Sequence, residues 1–121
     1  MTWHRLILHV AVLALLGVAL AAPPAHAQSA APLQDYAAEQ AAAYGLSAAW
    51  LARIITCESG WNPRAVGAAG EQGLAQLHPR GLRPLFFTQG YTDPFDPYQS
   101  IEFLAWALAN GYAAHWTCAR R

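Results

Sequence analysis

Residues 58–79, ESGWNPRAVGAAGEQGLAQLHP, hold the side chains of this chain best suited to chemistry. Glu58 comes first. Leu51, Ile54, Ile55 and Glu58 recur at helical spacing, so a helix over Ala48–Glu58 places all four on one face. A carboxyl on that apolar face is partly removed from water, and desolvation disfavours its charged form. It also stands at the C-terminal end of the helix, where the macrodipole again opposes a negative charge. Arg53 falls on a different face and does not neutralise it. Together these effects point to a carboxylic acid still protonated near neutral pH, the state needed to protonate a leaving glycosidic oxygen. The alternative is a helix-end side chain turned out to water.

Glycoside cleavage by water usually employs a second carboxylate. Asp96 is better read as a helix cap and Asp93, before Pro94, as a turn residue. Glu71 lies in the glycine-rich loop, either as an exposed loop residue or as part of the site. With no strong second acid, the pattern favours chemistry that needs one carboxyl. Trp61 either stacks on a sugar ring or packs over the edge of the core, while Trp50, Phe103 and Trp106 read as core. His78 and His115 lack the closely spaced partners of a metal site and read as structural or surface residues. Arg64, Arg80 and Arg83 are too dispersed to form a basic patch.

The elements that must position these residues begin after an export signal. Arg5 precedes an apolar run, Leu6–Ala22, interrupted by His9, and Ala25-His26-Ala27 has the small-x-small pattern of a cleavage site. The run is short of the ~20 apolar residues of a spanning helix. Residues 1–27 are therefore read as a signal peptide and 28–121 as one mature domain, with a retained anchor as the alternative. Six arginines against seven acids leave residues 28–121 at a formal charge of −1. Nothing in this balance favours nucleic acid, whose binding requires clustered positive charge. An exported chain meets oxidising conditions, and its two cysteines, Cys57 and Cys118, allow one pairing, the alternative being two buried thiols.

The class is mainly α, a string of short helices. Ala30–Gly45 is rich in Ala, Gln and Glu and stops at Gly45. Ser47 caps the helix that carries Glu58. Residues 59–73 hold four of the nine glycines and read as a loop or small hairpin. Leu74–Leu77 reads as one helical turn, and a short helix within Arg80–Tyr91 is expected to be cut or kinked at Pro84. Asp96, Pro97 and Gln99 give the start of the last long helix, with a capping box, and Ile101, Leu104, Ala105 and Leu108 form its inward stripe.

The motif Glu58-Ser59, Asn62-Pro63, Ala65, Gly70, Gly73-Leu74, Gln76 and Pro79 resembles the SLT-type domain of lytic transglycosylases, in the lysozyme-like superfamily, over about residues 47–110. The resemblance implies a small lysozyme-like domain acting on peptidoglycan glycan strands at the β-1,4 bond between N-acetylmuramic acid and N-acetylglucosamine. By that resemblance Glu58 is the acid/base, Ser59 the serine beside it, and Gln76 a glutamine lining the saccharide groove, where Glu71 would also face. The single carboxyl protonates the bridging oxygen and then accepts a proton from the sugar's 6-hydroxyl, closing a 1,6-anhydro ring, and the resemblance implies no metal or cofactor. The C-terminal segment GYAAHWTCARR departs from the family, whose members commonly carry Ala-Tyr-Asn there; Tyr112 and Trp116 are the aromatic candidates for that tyrosine's place. The expected protein is an exported monomer of the bacterial periplasm or the medium, without stable membrane insertion after cleavage. A hydrolytic muramidase and a groove that binds glycan without cutting it are the alternatives.

Overall fold

Among the described residues, 25–121 of this computed structural model, four α-helices follow one another: α1 Ala25–Ala43, α2 Ala48–Ser59, α3 Arg83–Thr88 and α4 Pro97–Ala109. Two 3₁₀ turns, Ala113–His115 and Thr117–Arg120, complete the chain. The expected signal segment lies outside the described residues except for Ala25–Ala27, which begin α1. That helix therefore starts earlier than Ala30 and runs through Pro32. No helix among the described residues is long and apolar enough to cross a membrane.

The helix starts follow from local chemistry. Ser47 Oγ accepts from the Trp50 N–H at 3.2 Å, and Asp96 Oδ1 accepts from the Gln99 N–H at 3.0 Å. Each satisfies a donor that the first helical turn leaves unpaired. The capping box is not reciprocal, however. The Asp96 N–H already donates to the Asp93 carbonyl at 3.0 Å. Gln99 Oε1 instead accepts from the Thr92 and Asp93 N–H groups, at 2.8 and 3.2 Å, and ties the preceding loop to α4. Pro84 does not kink a helix; it occupies the first turn of α3, where its missing N–H costs no helical bond.

Leu51, Ile54 and Ile55 of α2 and Ile101, Phe103, Leu104 and Ala105 of α4 are fully buried. The helix α1 lies against both, through Leu33 and the small side chains Ala37 and Ala41. The Tyr36 hydroxyl donates to Glu102 Oε1, which links α1 to α4; burial, then the bond to this carboxylate, holds the phenol well above its ordinary pKa. Phe86 brings α3 into the core against Phe103, with ring centroids 5.3 Å apart.

Between α2 and α3 the chain forms a small irregular arm. Single antiparallel bridges join Val66 to Gln72 and Gln72 to Leu77, in place of strands. Residues 74–77 are not a helical turn but the tight bend between two bridge partners. The bend enters the core because Gly73, at φ +76°, has no Cβ; one would collide with the Pro94 carbonyl oxygen. Leu74, Ala75 and Leu77 are buried as a result.

Cys57 and Cys118 form a disulfide with Cα atoms 5.9 Å apart, fastening the end of α2 to the last 3₁₀ turn. In a domain of this size the core has little stability in reserve. Replacing both cysteines by serine should lower the unfolding free energy by about 4 kcal/mol on chain-entropy grounds. Urea denaturation would show this as a lower midpoint, and an unchanged midpoint would mean the bridge adds no stability.

Candidate active site

The stripe of α2 that buries Leu51, Ile54 and Ile55 carries Glu58 to the helix end, where it is half-buried. Its carboxyl opens into a cavity of about 330 Å³. The arm contributes Glu71, Gln76, His78 and Gly81 to the same cavity, and the C-terminal segment contributes His115, Trp116 and Thr117. Three stretches distant in sequence therefore meet around one carboxyl. A larger cavity, about 790 Å³, is bordered by Asn62, Arg64, Val66, Asp93 and Phe95 and shares no residue with the first. Size does not make it the reactive one. Its carboxyl, Asp93, spends Oδ1 on the Phe95 N–H at 2.9 Å, in a turn.

The two glutamates of the smaller cavity are driven in opposite directions. Burial raises the Glu58 pKa; the Cys118 N–H, donating to Oε1 at 3.4 Å, partly offsets this, and the charge of Glu71 adds to the rise. Glu71 is held below its ordinary value, chiefly by its own N–H, with the Ala69 N–H and His78 adding to the effect against some desolvation. The Ala69 bond is 2.9 Å, to Oε2. One carboxyl is thereby biased toward the protonated form and the other toward the ionised form. Such a split is what assigns acid and base roles in a site that handles protons.

The remaining expected residues divide. Gln76 stands in the cavity wall at φ +48°, a conformation that costs a non-glycine residue on the order of 1–3 kcal/mol. Its Nε2 offsets that strain by donating to the Ala65 and Gly73 carbonyls, at 3.1 and 2.9 Å, so the amide braces the arm. Trp116 also lines the cavity but is only 3% exposed, and its Nε1 donates to the Ala75 carbonyl at 2.7 Å. It forms a wall whose polar group is already engaged. Ser59 donates to the Ile55 carbonyl at 3.1 Å, and Trp61 packs over the core edge with Nε1 on Thr56 Oγ1 at 2.8 Å. Neither borders the cavity. Tyr112 stacks on Trp106 and lies outside it too.

Sequence reasoning missed His78, His115 and Thr117 as neighbours of Glu58. Each is isolated along the chain, and only the docking of the arm and the C-terminal segment unites them. No group of three or more metal-ligating side chains occurs among the described residues.

The family model described as Transglycosylase SLT domain matches residues 35–116, a span that contains Glu58, the arm and Trp116. The chain belongs to this family. The SLT domain is of the lytic transglycosylase type within the lysozyme-like superfamily, and its membership brings glycosidase or transglycosylase activity in general. The match ends at Trp116, part-way into the C-terminal segment that lacks the Tyr-Asn pattern. No solved structure matches this SLT chain.

NMR titration of the carboxyl carbons should place Glu58 above and Glu71 below the ordinary glutamate range; the reverse order would contradict the geometry. A Cβ on Gly67 would press on Glu71 Oε2 and on Gln76 Oε1, the far ends of side chains that can shift. Gly67→Ala should therefore leave the fold intact while moving the Glu71 titration back upward.

Proposed function

We propose that this SLT domain is a peptidoglycan lytic transglycosylase in which Glu58 is the acid/base. The observation that supports this reading most directly is the half-buried Glu58 carboxyl, held toward its protonated form at the mouth of a cavity. The proposed substrate bond is the β-1,4 linkage from N-acetylmuramic acid to N-acetylglucosamine. Glu58 gives its proton to the bridging oxygen as the bond from the muramic C1 to that oxygen breaks, and the electron pair leaves with the oxygen. The muramic 6-hydroxyl then bonds to C1 and returns a proton to the Glu58 carboxylate. The products are a free 4-hydroxyl and a 1,6-anhydromuramic end, with no water consumed and the acid regenerated.

The same proposal places the protein outside the cytoplasm, in the periplasm or the medium, as a monomer freed of residues 1–27. No cofactor enters the steps. Glu71, facing the same cavity, favours one second reading, hydrolysis by a water in place of the 6-hydroxyl.

The test is digestion of purified peptidoglycan by the oxidised protein and by Glu58→Gln, with mass spectrometry of the released fragments. Anhydro ends, lighter by one water than hydrolysed ends, support transglycosylation. Reducing ends support the hydrolytic reading. Glu58→Gln should lose roughly 10²–10⁴-fold in rate, the usual range for a general acid. Binding without cleavage by both proteins would make the domain a glycan-binding module.

A further inference from the structure

Glu71 has a structural use that accounts for only part of its placement. Its Oε2 accepts from the Ala69 N–H at 2.9 Å, within a loop already closed by backbone bonds from Gly67 N–H to the Glu71 carbonyl and from Gly70 N–H to the Gly67 carbonyl, at 2.9 and 3.0 Å. Arg83 braces that loop through Nη1 on the Gly70 carbonyl at 3.1 Å, so its guanidinium is directed to the backbone rather than to the carboxylate. Gly67 supplies the room in which the Glu71 carboxylate and the Gln76 amide lie side by side. The outcome is a fixed carboxylate lining the cavity into which Glu58 opens. Closing the turn requires an acceptor at this place but not a negative charge.

We infer that Glu71 is a second catalytic carboxylate, whose fixed charge faces the glycosyl cation formed as Glu58 gives up its proton. The inference rests on the reading of Glu58 above. When the bond from C1 to the bridging oxygen breaks, positive charge spreads over C1 and the ring oxygen. A charge already held in place by the loop stabilises that state without reorganising at the moment of reaction. Glu71 forms no bond to the sugar and transfers no proton, so the balance of the reaction is unchanged. Its charge has a second effect, keeping the Glu58 proton bound to higher pH. The titratable groups that face Glu58 across the cavity are Glu71, His78 and His115, and the C-terminal turn adds the Cys118 N–H.

The test compares the full oxidised protein with Glu71→Gln on soluble glycan fragments, reading kcat, KM, pH profile, thermal midpoint and product ends. Glutamine keeps an oxygen for the Ala69 N–H and removes only the charge. The expected result is a fall in kcat of roughly 10²-fold, the scale of one preorganised electrostatic contact, with KM and the thermal midpoint little changed. Activity is lost as pH rises and Glu58 deprotonates, so removing a like charge should move this alkaline limb to lower pH. Wild-type kcat and an unmoved limb in Glu71→Gln would overturn the inference. So would a fall in kcat matched by a fall in thermal midpoint with the limb unmoved, which marks a purely turn-closing role. The product ends of the wild-type protein and the activity of Glu58→Gln judge the transglycosylase reading separately. Reducing ends would reject that reading while the kcat and limb of Glu71→Gln still decide the role of Glu71.

Discussion

The backbone of Ala75 is the constraint on which the site depends. It is buried, and it belongs to neither a helix nor a strand, so both of its polar groups need partners from elsewhere. Ser100 Oγ, from α4, accepts from its N–H at 3.1 Å, and Trp116 Nε1, from the C-terminal segment, donates to its carbonyl at 2.7 Å. Leaving either group unpaired inside the core would cost about 1–3 kcal/mol. One residue's backbone therefore holds three parts of the chain in register. Since the arm brings Glu71 and Gln76 and the C-terminal segment brings His115 and Trp116, the cavity wall is set by the same two hydrogen bonds.

Glu58 sits where a helix built only for stability would avoid it. Burial and its position at the helix end both oppose a negative charge there. The disulfide at the neighbouring Cys57 and the N–H of Cys118 hold the C-terminal segment against this end of the helix. That segment lacks the family's usual Tyr-Asn pattern. Trp116 occupies the wall there, its indole nitrogen committed to Ala75, so it contributes shape rather than a free donor.

Much of the scaffold was legible in the chain. Ser47, Asp96 and the stripe Leu51–Ile54–Ile55 act through contacts within one or two helical turns, and such contacts depend little on what surrounds them. The failures cluster where a distant partner competes. Leu74–Leu77 has a helical composition, but the bridge from Gln72 to Leu77 and the bonds to Ala75 bend it into a turn. Gln99 had the right spacing for a capping box, yet the Asp93 carbonyl claimed the Asp96 N–H first. Ser59 and Trp61 were adjacent to Glu58 in sequence and are turned away from its cavity, because a helix end sends successive side chains in different directions.

The sequence by itself determined the helical class, the helix that carries Glu58, the one cysteine pairing open to the chain and the motif that marks the SLT family. Each rests on short-range periodicity, capping chemistry or a count that admits one answer. Only the tertiary structure decided which residues face Glu58. Glu71, His78 and His115 come from segments whose approach is set by buried long-range hydrogen bonds and by the space that Gly73 leaves open. Local spacing carries no record of such an approach, because the partners that enforce it lie tens of residues away along the chain.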